Sequence, residues 1–409
     1  MQVVFKKYGI TDTMLALLFS SFPITIGLIT GPFICYMSDR HRGPLGRRIP
    51  YLLVTIPFIV GAIIGLAFSP QLGAFCHRLL GSHSMGESSS ILLFLGVFWM
   101  IFEFGIGVSN MMFGGLVNDV VPQSLVGRFY GLFRIISLLA GIIFNYWIFG
   151  KAETHFAWIF LGVAVLFGGG LTVMCLNVKE GEYEPVPAHQ VNEPIWKRFI
   201  DAAKTYFKDG YSHSFYLWMF AATIVAGLAY APFNLYSVFY AKSIGMDMVS
   251  YGKCLSITYA ISVALAYPLG ALCDRFHPLR ITLGILGLYA VSMLFFGLDV
   301  KDATTFRIAL IVQSVLSGCY FTASSSIPLR LYPRQKFTQI GSAGGTINCL
   351  VGIVFAPAVG VFLDFTNHNY SWTFHIASGL AALAFLLNVV LYRKFKGLGG
   401  VKGFVAPVQ

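Results

Sequence analysis

Apolar runs of bilayer length recur along almost the whole chain, at about 12–36, 51–69, 91–117, 129–149, 154–176, 214–240, 251–272, 281–298, 306–328, 338–363 and 371–392. Each is near the ~20 residues that a helix needs to cross the hydrocarbon core. A segment in lipid must satisfy its backbone N–H and C=O groups internally, so these eleven runs read as helices. Only 11% of the 409 residues are charged, against roughly a quarter in a soluble domain. The fold class expected is an all-α polytopic membrane protein. Met1–Asp12 is short, polar and runs straight into the first apolar segment, so no cleavable signal is read there.

Two turns punctuate this pattern in the same way. Gly31-Pro-Phe-Ile-Cys-Tyr-Met-Ser-Asp39-Arg40-His-Arg-Gly-Pro-Leu-Gly46-Arg47-Arg48-Ile-Pro50 follows one span, and Pro268-Leu-Gly270-Ala-Leu-Cys-Asp274-Arg275-Phe-His-Pro-Leu-Arg280 follows another. The next loop on that face repeats too, Asn118-Asp119-Val-Val-Pro122 corresponding to Leu329-Arg330-Leu-Tyr-Pro333. Duplicated turns in a membrane chain indicate two structural halves and a seam at which access can alternate. The expected division is an N-terminal bundle over 1–176, a linker over 177–212, a six-span bundle over 213–392 and a basic tail over 393–409. Two apolar segments precede the second turn within its half and one precedes the first, so a first span is expected upstream of Met1. A true eleven-span chain is the alternative.

The formal net charge of +11 would suggest nucleic acid in a soluble protein. Sorted by loop, with the Asp39 turn on the cytoplasmic side, twenty of the 28 lysines and arginines fall on that face. That bias is the positive-inside rule, so the basic excess sets orientation and implies no nucleic-acid partner. The multi-pass chain is expected in a plasma or inner membrane, with both turns cytoplasmic. Within the linker, residues 193–208 place Ile195, Trp196, Phe199 and Phe207 on one helical face with lysines and an arginine around it. Such a segment lies on the membrane surface or packs on the base of the protein. The seven cysteines show no metal or redox spacing.

These turns resemble those of the major facilitator superfamily, whose members carry Gly-x-x-x-Asp-Arg…Gly-Arg-Arg between the second and third spans of each half. Gly270 and Asp274 fit, while Cys35 stands where the family has glycine. The resemblance implies a fold of two pseudo-symmetric helical bundles, with eleven of the usual twelve spans visible here. Within it, Gly31-Pro32…Ser38-Asp39-Arg40…Gly46-Arg47-Arg48-x-Pro50 looks most like the sucrose–proton symporters. Glu103, Asn110 and Asp119 match an acid, an amide and a second acid at that group's spacing, with Glu in place of Asp at 103. Related melibiose-type symporters have a sodium-site aspartate where this chain has Gly31, which points to protons as the coupling ion. By the same resemblance Asp39, Arg40, Gly46, Arg47, Arg48, Asp119, Arg128, Gly270, Asp274 and Arg275 would gate the cytoplasmic side. Anchoring of topology by the arginines is the plainer reading.

Glu103 alone among the 17 acids sits deep in a span, twelve residues past Ile91, or ~18 Å along a helix and near the midplane. An acid at that depth is costly unless it serves a function, so it is the candidate for proton coupling; a hydrogen-bonded structural carboxyl is the alternative. Arg134 is its candidate partner, unless its long side chain snorkels to the surface. Sugars present hydroxyls and an apolar face, so amides and aromatics are the candidate contacts: Asn110, Asn145, Asn234, Tyr236, Gln313 and Tyr320. Lipid-facing or core packing is the commoner role for any one aromatic in so apolar a chain. No nucleotide loop, triad or metal motif is present, so no enzyme, cofactor or metal is expected. The function expected is proton-coupled symport of a disaccharide or related glycoside. Its alternatives are a uniporter or exporter on the same fold and a membrane sensor that transports nothing.

Overall fold

The computed structural model describes residues 1–41, 43–121, 126–152, 154–181, 211, 213–333 and 337–407. The amphipathic segment 193–208 lies outside the described residues. Among those described, ten helices are long and apolar enough to cross a membrane. The eleventh apolar run lies in a helix that starts at Val126, but its uninterrupted apolar stretch, Ile135–Lys151, is shorter. Arg128 and Arg134 break the apolar pattern before it.

The elements in chain order are α1 (Gln2–Lys7), α2 (Asp12–Ala16), α3 (Phe22–Arg40), α4 (Ile49–Leu80), α5 (Glu87–Val120), α6 (Val126–Ile143), α7 (Phe156–Asn177), α8 (Ser214–Ser243), α9 (Met248–Phe276), α10 (Pro278–Asp299), α11 (Ala303–Ser324), α12 (Ile327–Leu331), α13 (Phe337–Phe365), α14 (Trp372–Gly397) and α15 (Gly400–Gly403). They gather into two compact units. The first takes the described residues of Met1–Ile136, Lys151–Val191 and Ala356–Asp364, and the second those of Ser137–Gly150, Asn192–Phe355 and Phe365–Gln409.

In the first unit α4 packs against α5 and α7, and α3 against α5. Without a hydrophobic drive between helices in lipid, close approach of backbones decides the packing. Gly73 shows it: a Cβ there would lie 2.6 Å from the Cα of Ile91. A π turn, Leu17–Ser21, joins α2 to α3 just before Pro23. Proline cannot donate to the ladder and its ring crowds the preceding turn, which widens there. The start of α2 is capped from far along the chain. Asp364 accepts from the backbone N–H groups of Asp12 and Thr13 at 2.9 Å each and from the Thr13 hydroxyl at 2.6 Å.

In the second unit α14 packs on α8 and α10, and α11 on α9 and α10. Phe215, Phe220, Leu279, Leu331 and Phe395 form part of a buried cluster at the end of this unit that carries the Asp274 turn. A second π turn, Phe144–Ile148, follows α6.

Candidate functional site

The first charged turn is held by two carboxylates, one from α5 and one from the segment after α7. Asp119, near the end of α5, takes a forked pair from Arg47, Nε at 3.0 Å and Nη2 at 2.5 Å, and Nε of Arg48 at 3.4 Å. Arg48 also donates to the Ser38 hydroxyl at 3.1 Å, which in turn donates to the Arg47 carbonyl at 2.9 Å. A forked arginine–carboxylate pair fixes geometry as well as charge. Partial burial pushes the Asp119 carboxyl up, but the hydrogen bonds and charges of Arg47 and Arg48 outweigh it and hold the group below the usual carboxylate range.

Glu180, three residues past the end of α7, is the second carboxylate. It accepts the backbone N–H groups of Arg47, Arg48 and Ile49 at 2.8, 2.8 and 2.7 Å. These are orphan donors at the start of α4, where no local side chain caps the helix and the macrodipole favours an anion. Gly46 makes the approach possible. Its φ is +94°, and a Cβ there would lie 2.5 Å from the Glu180 carboxyl carbon.

The second turn has the same design with different chemistry. Asp274 pairs with Arg330 at 2.5 Å. Asp274 sits at the end of α9 and Arg330 on α12, whereas the pair described in the first unit joins Arg47, just before α4, to Asp119 on α5. Here α10 is capped by the preceding residue: His277, at φ +74°, accepts the Leu279 N–H on Nδ1 at 3.3 Å and stacks on Phe395. Burial, with help from Arg330 and Arg280, lowers the His277 pKa to about 4. Arg275 is exposed beside Phe276, and a Cβ at Gly270 would meet nothing within 4 Å.

Glu103 lies midway along the span Glu87–Val117, half-buried. Among the described residues it has no hydrogen-bond or ion-pair partner. One turn before it, Trp99 stacks against Phe19 at 4.4 Å and Phe102 at 5.4 Å, and its Nε1 donates at 3.2 Å to the carbonyl of Leu18 inside the π turn. A widened turn frees a carbonyl, and the indole takes it. Asn110 is exposed on the same helix. The side chains of Asp39, Arg40, Arg128 and Arg134 fall outside the described residues, so the Glu103–Arg134 pairing does too.

The second unit brings two of the expected contacts together. Gln313, fully buried on α11, donates from Nε2 to the Asn234 carbonyl oxygen on α8 at 3.1 Å and accepts from Ser314 at 3.0 Å. Asn234 itself is exposed. Tyr320, two turns along α11, is buried against Tyr230 at 5.3 Å, and Tyr230 packs on Tyr289 at 4.3 Å. Tyr236 is buried apart from this group, stacked toward Tyr370 at 6.2 Å. Asn145 spends its amide within its own helix, donating to the Gly141 carbonyl at 2.8 Å in the second π turn.

The sequence profile of the Major Facilitator Superfamily matches residues 1–356. The chain belongs to this superfamily. No curated protein sequence matches it. Solved structures share its fold at low identity. A D-xylose–proton symporter is 14% identical with a TM-score of 0.66, covering 94% of this chain and 89% of its own. A bacterial homologue of the iron transporter ferroportin is 12% identical at 0.69, covering 96% and 93%, and the nucleoside transporter NupG is 12% identical at 0.59, again 96% and 93%. The superfamily member is thus a multi-pass membrane transporter and not an enzyme.

Sequence reading missed Glu180, which falls within the linker expected over 177–212. One signal was available. Gly46-Arg47-Arg48 precedes a helix with none of the Ser, Thr, Asp or Asn that cap helix starts, so the anion had to come from elsewhere. Tyr289 was missed as well, because nothing in an apolar span distinguishes a partnered tyrosine.

Proposed function

We propose that this chain is a proton-coupled symporter of a disaccharide or related glycoside that works by alternating access. The observation that carries the reading is the uncharged polar cluster of the second unit. Gln313, Asn234, Ser314 and the neighbouring tyrosines offer amide and hydroxyl groups, and no Asp, Glu, Lys or Arg occurs within 214–241, 281–298 or 308–324. An ionised solute in that cluster would lack a counter-charge. A neutral solute rich in hydroxyls finds there both hydrogen-bond partners and aromatic faces.

Coupling rests on Glu103. A half-buried carboxyl with no partner among the described residues can take up and release a proton without breaking a structural contact. The charged turns would serve as the gates on the cytoplasmic face.

The test is uptake of sucrose, maltose, lactose and trehalose into proteoliposomes with and without an inward proton gradient. The gradient is expected to drive accumulation of at least one of them, and Glu103→Gln to abolish that accumulation while leaving sugar exchange at equal pH. Full gradient-driven uptake by the variant would sink the coupling role and favour a uniporter or exporter.

A further inference from the structure

We infer that Tyr230 is a specificity-determining residue whose hydroxyl meets a hydroxyl of the transported solute; this rests on the sugar reading above. Its phenol oxygen is buried and is the one buried side-chain N or O among the described residues with no hydrogen-bond partner. The ring is held on three sides, by Tyr289 at 4.3 Å, Tyr320 at 5.3 Å and Phe321 at 5.5 Å. A buried hydroxyl without a partner is destabilising, and a phenylalanine would fill the same space without that cost. Packing therefore does not explain the oxygen.

Its position does. Tyr230 is one helical turn from Asn234 on α8, a separation of ~6 Å along the axis. That is about the width of a sugar ring, so one solute can touch both residues. Pro232 lies between them and leaves the Leu228 carbonyl without its usual helical donor, so the helix is locally adjustable at this point. Phe321 is the outer cover, 48% exposed while it lies on Tyr230. Displacing that one ring would uncover part of the Tyr230 ring. Tyr289 differs from Tyr230 in one decisive respect: its hydroxyl already has a partner, donating to the Ala229 carbonyl at 3.4 Å.

The discriminating pair is Tyr230→Phe and Tyr289→Phe, each measured for melting midpoint and for binding of sucrose, maltose, lactose and trehalose by calorimetry. Tyr289→Phe removes a made hydrogen bond and should lower the midpoint. Tyr230→Phe should raise it by about 2 °C and yet weaken the bound sugar about three- to tenfold, the worth of one neutral hydrogen bond. A monodeoxy analogue lacking the contacted hydroxyl should bind wild type and Tyr230→Phe equally. Unchanged sugar affinity in Tyr230→Phe, or a lowered midpoint, would overturn the assignment. Gln313→Ala separates the two levels. If it loses sugar binding while Tyr230→Phe keeps it, the site stands and only Tyr230 falls; if wild type binds none of the four sugars, the sugar reading falls and this inference with it.

Discussion

Gly46, Asp119 and Glu180 show how much of one charged turn depends on single residues. Asp119 grips arginine side chains, whereas Glu180 grips the backbone beneath them. Gly46 serves both a positive φ and the space for Glu180, and the two demands can be separated. Gly46→Ala should destabilise the protein by about 2–3 kcal/mol, part from the left-handed backbone, which costs an L-residue about 1–2 kcal/mol, and the rest from displacing Glu180. In a Glu180→Gly background, which removes both the carboxyl and the Cβ that would lie 2.6 Å from the new methyl, the second part is gone, so the same glycine change should cost only about 1–2 kcal/mol. Thermal or chemical denaturation of the four proteins gives the coupling directly, and strict additivity would refute the shared role of Gly46.

Among the described residues, the two charged turns are held by different pairs. In the first unit Arg47, between α3 and α4, pairs with Asp119 at the end of α5; in the second Asp274, at the end of α9, pairs with Arg330 on α12. Asp274 is 79% exposed against 13% for Asp119, so the second pair is the more screened and the weaker. The duplicated turns and the spans were legible from sequence, since motif and hydropathy are local in the chain. The cap of α4 was not, because Glu180 lies more than 130 residues away. The His277 cap adds a pH dependence of known sign. Its native pKa of about 4 lies below the ~6.5 of an unfolded histidine, so the unfolded chain binds more protons between those values. Its contribution is complete above about pH 6.5 and is lost as pH falls toward about 4. His277→Asn tolerates the positive φ and can still cap α10. The melting midpoint of wild type should drop more steeply than that of the variant between pH 6.5 and 4.5, and parallel curves would refute the assignment.

At the scale of the whole molecule, hydropathy made the helices legible and nothing in it revealed which polar groups would meet. The Gln313–Asn234 contact joins residues 79 apart, and each amide alone looks like any other polar residue in a span. Orientation in the membrane lives in loop charge. The α4 helix crosses once between the turn at 41–48 and the loop at 81–86, so those two segments lie on opposite faces. With twenty of 28 basic residues assigned to the turn face, that face should be cytoplasmic. Each basic residue near the surface adds about 1 kcal/mol of attraction to anionic lipid, so an excess of twelve leaves little room for dual insertion. In a chain whose seven cysteines are replaced, Ser84→Cys should react with a membrane-impermeant maleimide added to intact cells, and His41→Cys should react only after permeabilisation. The opposite pattern would invert the molecule and move both charged turns, with their proposed gates, to the outer face.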